Sequence, residues 1–130
     1  MRILGIDFGL KNIGLAISEG FLAEPLGVIR IKNQESGIRR IEKVIKEEKI
    51  EKIIIGVSEG EMARKTRDFG ERLKKATGLP VEYQDETLTS REAKELMMRI
   101  GKPKKKRQKQ TDAISAALIL QSYIDQQKGA

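Results

Sequence analysis

A chain of 130 residues is long enough for one domain with a real core and too short for two ordinary ones, so a single domain over residues 1–130 is expected. Its 26 Lys and Arg against 19 Asp and Glu leave a net charge of +7, which favours a polyanionic partner, most commonly nucleic acid, without choosing between DNA and RNA. With no Cys and no His, the chain cannot build disulfides, thiolate or imidazole metal sites, Cys nucleophiles or Ser-His-Asp triads; any metal must be held by oxygen, which suits Mg²⁺ or Mn²⁺.

The stretch MRILGIDFGLKNIGLAIS is apolar at Ile3, Leu4 and Ile6, breaks at Asp7-Phe8-Gly9 and resumes at Ile13, Leu15 and Ile17. That pattern predicts two strands joined by a tight turn, with Asp7 at the end of a buried strand. An ionised carboxylate there costs on the order of several kcal/mol unless a cation or hydrogen bonds compensate it. Ala23 to Ile31 predicts a third strand, completing an antiparallel meander. From Gly37 to Lys49 the apolar positions Ile38, Ile41, Val44 and Ile45 predict an amphipathic helix. Lys52 to Val57 is a β-branched run that predicts a strand buried on both faces, with Ser58-Glu59-Gly60 as its exit loop.

Met62, Thr66, Phe69, Leu73 and Ala76 then mark a second helix that runs to Thr77 and stops at Gly78. Val81 to Gln84 predicts a short strand that delivers Asp85 and Glu86 to its end. Thr89 and Glu92 fit a capping box for a third helix with Ala93, Leu96, Met97 and Ile100 on its apolar face, closed by Gly101 and Pro103. Between Lys102 and Lys109 six of eight residues are basic, a run expected to repel itself and to be mobile when nothing is bound. A last helix opens near Thr111-Asp112 and turns Ile114, Ala117, Leu118 and Tyr123 to the core. The order βββαβαβαα implies an α/β fold, a mixed five-stranded sheet flanked by helices, with ligands gathered at the C-terminal ends of its parallel strands. Asp7 and Lys11 interrupt the N-terminal apolar stretch, and no apolar run approaches the roughly 20 residues of a spanning helix, so a cytoplasmic protein without a membrane partner is expected.

Three acids occupy special positions: Asp7 ends the first strand, Glu86 follows the last, and Asp112 falls in the first turn of the final helix. If the first and last strands are neighbours, Asp7 and Glu86 converge and the helix brings Asp112 over them. Carboxylates ~4 Å apart repel by roughly 4 kcal/mol per pair at an effective dielectric of about 20, so all three stay ionised only with a divalent ion between them. Two such ions can activate a water and stabilise the leaving oxygen in phosphodiester hydrolysis, and no His is needed for that. Each acid alone also has a plainer reading: an Asx turn at Asp7, a solvated turn at Glu86, an N-cap at Asp112. Lys11 beside the first turn, and Lys102, Lys104, Lys105, Lys106, Arg107 and Lys109 before Asp112, are the candidate contacts for a phosphate backbone.

The blocks MRILGIDFGLKNIGLAIS, DETLTSREA and KKKRQKQTDAISAALILQSYID resemble the three signature blocks of the YqgF (RuvX) family. The resemblance implies a ribonuclease H-like nuclease domain, dependent on Mg²⁺ or Mn²⁺, that processes the 5′ end of the 16S ribosomal RNA precursor. Its acids fall on Asp7, Glu86 and Asp112. The sequence departs from the family pattern at Leu10, usually Thr, at Thr87, usually Arg, and at Ser58-Glu59-Gly60, which lacks the usual Pro. Structured RNA is the favoured substrate. A Holliday junction resolvase acting on branched DNA and a non-catalytic nucleic-acid-binding factor are the alternatives, and a weak homodimer is left open. Phosphotransfer from ATP, suggested by the DxG opening of actin-like kinases, needs a second phosphate loop and a chain about twice as long.

Overall fold

The computed structural model describes residues 1–86 and 104–128, with the backbone alone for 104–110 and 128. Its elements are β1 (Ile3–Phe8), β2 (Asn12–Ser18), β3 (Ala23–Arg30), α1 (Gln34–Glu48), β4 (Lys52–Val57), α2 (Gly60–Thr77), β5 (Val81–Asp85) and α3 (Lys104–Lys128). The strands form one sheet in the order β3-β2-β1-β4-β5. β1 pairs antiparallel with β2 and parallel with β4; β2–β3 is antiparallel and β4–β5 parallel. This is the mixed five-stranded α/β sheet that the sequence predicts.

Alternation along each strand divides the core between two faces. Leu4, Ile6, Phe8, Ile13, Leu15, Ile53 and Ile55 point to one face, where they pack with Ile41 of α1 and with Phe69 and Leu73 of α2. Phe8 and Phe69 stack there with ring centroids 4.4 Å apart. Ile3, Ala16, Ala23 and Ile54 point to the other face, against Ala116, Ala117, Ile119, Leu120, Tyr123 and Ile124 of α3. The even-numbered and odd-numbered residues of β1 therefore meet different helices, which puts Asp7 on the α3 face.

Two predicted boundaries move for local reasons. α1 begins at Gln34 because Asn33 caps it: the Asn33 side chain accepts from the Ser36 backbone N–H at 2.8 Å, and the Ser36 side chain accepts from the Asn33 backbone in return. α2 begins at Gly60, a residue assigned from sequence to the exit loop, and ends at Gly78 in the left-handed conformation with φ 72°.

Three larger expectations are corrected. α3 starts at Lys104, so Asp112 stands in its third turn rather than its first, and neither an N-cap nor a helix-terminus role applies to it. The basic run from Lys104 to Lys109 is helical backbone and not a separate loop. Lys, Arg and Gln are good helix formers, and a nucleus already packed at Ala113 to Ile124 extends backwards at little cost, so like-charge repulsion of a few tenths of a kcal/mol per pair does not stop it. Finally, β1 and β5 are not neighbours, because β4 lies between them. The predicted helix over Thr89 to Ile100, with Thr87, Gly101, Lys102 and Pro103, lies outside the described residues.

α3 lies unusually close to the sheet, and glycines make that approach possible. A Cβ built on Gly14 would stand 1.9 Å from the backbone oxygen of Asp112, and one built on Gly56 would stand 2.3 Å from Cδ1 of Ile119. On the helix side Ala113, Ala116 and Ala117 are buried against the strands. The far half of α3 is tied by polar contacts. Lys52 Nζ of β4 donates to the Tyr123 hydroxyl at 2.6 Å and pairs with Glu82 of β5, interactions that hold the Lys52 ammonium above its ordinary pKa, with the Glu82 hydrogen bond the larger cause. Gln84 Nε2 donates to Ser122 Oγ at 3.2 Å, and Gln121 Oε1 accepts from the Ala23 backbone N–H at 2.8 Å.

Gly14→Ala is expected to lower the urea midpoint by the equivalent of about 1–3 kcal/mol or more, because the new methyl meets backbone that no rotamer can move aside. Gly27→Ala on β3, where an added Cβ meets nothing within 4 Å, is the matched control and should leave the midpoint unchanged. Equal midpoints for the two variants would show that the helix does not press on the sheet at Gly14.

Candidate active site

Asp7 is the penultimate residue of β1, and its two neighbours across the sheet are both glycines. In the antiparallel hairpin it is registered opposite Gly14 of β2. On the other side the parallel register runs Ile3↔Lys52 to Ile6↔Ile55, and its next step sets Gly56 of β4 beside Asp7, about 4.8 Å away by ordinary strand spacing.

Each glycine leaves a space that one of the other acids occupies. The Asp112 backbone sits directly over Gly14, and Cγ of Glu86 lies 2.9 Å from where a Gly56 Cβ would be. Glu86, one residue past β5, therefore reaches back over β4 towards β1 although the two strands are separated. Asp7 is the middle member of a row, with Asp112 on its β2 side and Glu86 on its β4 side. All three are partly exposed to solvent.

The row is not a single closed cage. Asp7 and Asp112 line one cleft of about 210 Å³ together with Phe8, Gly9, Leu10, Lys11 and Asn12, whereas Glu86 is not part of that lining. Among the described residues, no three acidic side chains stand close enough to hold one ion between them as they are placed. Asp7 thus shares the cleft with Asp112, while Glu86 lies outside its lining, over Gly56.

The turn between β1 and β2 forms the cleft's rim. It is held by the Ile31 backbone N–H, which donates to the Lys11 carbonyl at 2.8 Å. Lys11 and Asn12 are exposed there, and Leu10, more than half exposed, puts an apolar group beside the acids. The ammonium of Lys11 is thus available to an anion at the cleft. The backbone of Lys104, Lys105, Lys106, Arg107 and Lys109 lies in the first two turns of α3, N-terminal to Asp112 on the same helix. Lys102 lies outside the described residues.

Chemically, the cleft offers carboxylate oxygen on one side and an ammonium on the other. A donor set of carboxylates without sulfur or imidazole suits a hard divalent cation, and the adjacent cation suits a phosphate. Sequence reasoning missed Gly14, Gly56 and Asn12. The signal for Gly14 was present, since in a short hairpin the residue across from Asp7 can be counted from the turn. The role of Gly56 depends on which strand lies next to β1, which periodicity does not reveal.

A model of the family described as "RuvX: Holliday junction resolvase" matches residues 1–126. Proteins of Lactococcus lactis subsp. lactis (strain IL1403) and Agathobacter rectalis (strain ATCC 33656) are 40% and 39% identical to this chain, over 95% and 96% of it and 94% and 95% of their own lengths. Both bear the name "Putative pre-16S rRNA nuclease". Among solved structures, Thermus thermophilus RuvC in complex with a Holliday junction substrate aligns with a TM-score of 0.65 at 21% identity, covering 99% of this chain and 97% of that one. At that identity the likeness speaks for a shared ribonuclease H-like fold alone. The family match runs through both ends of the acid row, and with the relatives it establishes that this chain belongs to the RuvX family.

Proposed function

We propose that this protein is a metal-dependent nuclease of the cytoplasm that hydrolyses phosphodiester bonds in structured RNA, processing the 5′ end of the 16S ribosomal RNA precursor. What supports the reading is that Asp7, Asp112 and Lys11 line one cleft, while Glu86 lies over Gly56 of β4. The names of the 40%- and 39%-identical relatives supply the substrate.

The residues fit Mg²⁺ or Mn²⁺ by the chemistry of their donors. Asp7 with Asp112, and Asp7 with Glu86, are the pairs that would hold two ions. When bound, such ions make a water nucleophilic near neutral pH and stabilise the leaving oxygen. The protein's own groups do the rest. Lys11 binds the phosphate next to the cleft, and the basic turns of α3, with Lys102, Lys104, Lys105, Lys106, Arg107 and Lys109, track the backbone on either side of the cut. The rigid seat of α3 keeps Asp112 in register with Asp7, so no rearrangement of the helix is needed when substrate arrives. The whole chain acts as one nuclease domain in this reading, and any homodimer is weak and dispensable to the chemistry.

Labelled precursor rRNA incubated with the protein and Mg²⁺ should be cut, and EDTA should stop the cutting. Asp7→Asn and Asp112→Asn should each reduce the rate by more than the roughly 10–100-fold that loss of an outer-shell partner costs, while circular dichroism and the thermal midpoint stay those of the parent protein. Full activity in either variant would rule out the carboxylate mechanism. The family description favours one second reading, cleavage of branched DNA. A four-way junction in the same assay decides it: the RNA reading requires the precursor to be the better substrate, and a cut junction with intact RNA would replace it.

Lys11→Gln should weaken RNA binding and lower the salt dependence of log Kd by about one phosphate contact, roughly 0.7 for single-stranded nucleic acid. An unchanged slope would remove Lys11 from the phosphate path.

A further inference from the structure

A second concavity, of about 520 Å³, lies at the opposite end of β2 from the acids. Asp7 is registered with Gly14, whereas this groove is built around Ile17, Ser18 and the turn that follows, roughly 13 Å further along the strand at ordinary rise. Ile17 also points to the face away from α3. The groove is therefore separate from the nucleic-acid cleft, and both can be occupied at once.

Three of the five large apolar residues exposed among the described residues line this one groove: Phe21 at 70%, Leu22 at 60% and Leu26 at 40%. Scattered exposed apolar residues need no explanation, but a contiguous set around a hollow does. The turn that carries Phe21 is also held in place. Gln121 Nε2 donates to the Phe21 carbonyl at 3.1 Å while Gln121 Oε1 accepts from Ala23, so the aromatic ring is presented on a fixed backbone.

Charge identifies the occupant. In a chain of net charge +7, this rim is acidic: Glu19, Glu24 and Glu48 stand around it against a single Arg2. The Arg2 guanidinium pairs with both Glu19 and Glu48, so one positive charge meets three negative ones, and Glu24 has no ion pair among the described residues. Nucleic acid is repelled here. A second copy in a two-fold arrangement would set the same carboxylates against each other.

Strand addition is also disfavoured. β3 is the edge of the sheet, but it carries Pro25 and its pairing with β2 shifts between Leu15 and Ala16, features that blunt an edge. What remains is a segment that docks by its side chains. We propose that the groove of Phe21, Leu22 and Leu26 is a docking site for a polypeptide segment of another protein that combines apolar side chains with Lys or Arg. The apolar groups fill the hollow and the cations meet Glu24 and its neighbours. Such a partner holds the nuclease from the side away from its acids.

A labelled synthetic peptide in which Leu and Lys alternate, titrated into the full chain, tests this, with a Leu and Glu peptide as control. The basic peptide should bind and shift the amide resonances of Phe21, Leu22, Glu24 and Leu26. Binding should weaken roughly tenfold or more in Phe21→Ser and in Glu24→Lys, the loss expected for a central anchor, with thermal midpoints unchanged. Failure to bind, equal binding of the acidic peptide, or equal binding by the variants would overturn the proposal. So would sedimentation showing a concentration-dependent dimer that Phe21→Ser dissolves, since the occupant would then be a second copy. None of these readouts depends on catalysis, so this site and the nuclease reading stand or fall separately.

Discussion

Where Gly14 and Gly56 flank Asp7, the sheet has no side chain between its backbone and α3, and that gap fixes what can be placed at its C-terminal edge. A Cβ at Gly14 would overlap the Asp112 carbonyl, and one at Gly56 would crowd Ile119 and Glu86. Helix and sheet thus meet at backbone distance, and small helix residues, Ala113, Ala116 and Ala117, complete the contact from the other side. Close packing is stiff, because interiors filled to crystal density transmit small displacements and do not absorb them. The stiffness falls on the segment that carries Asp112. One packing constraint therefore orders the fold's second layer and sets Asp112 at the cleft of Asp7.

The cost of the arrangement is electrostatic. Carboxylates brought close together repel unless a cation lies between them. A protein selected for stability alone would place Ser or Asn at such positions. Acids at the mouth of a cleft, with Lys11 on its rim, are the donor set that the proposed divalent ions would use. The remaining charge is unevenly spread along the chain, with the basic run beside Asp112 and an acidic rim around the apolar groove at the other end of β2. The proposed nucleic-acid path and the proposed polypeptide groove thus carry opposite charge.

Much of the fold was legible because its signals are local. Alternation in Ile3 to Phe8 and the β-branched run at Lys52 to Val57 set strand and face, and Gly78 stopped a helix where expected. The polar and basic stretch before Asp112 misled, because helix propagation from a packed segment depends on what lies downstream and not on the charge of the stretch itself. Strand order was likewise hidden: β4 separates β1 from β5, and Glu86 lies over β4 where residue 56 has no side chain. The acids themselves were readable as types at the ends of elements. Their alignment through missing side chains on adjacent strands is a property of register, visible only once the sheet is assembled.

The central claim is that Asp7 is the shared carboxylate of a divalent-ion site. It is tested most directly by anomalous diffraction from crystals of the protein soaked in Mn²⁺. The account predicts density in contact with Asp7, with ions between it and Asp112 and between it and Glu86. Ordered Mn²⁺ elsewhere on the molecule with none at Asp7 would contradict it.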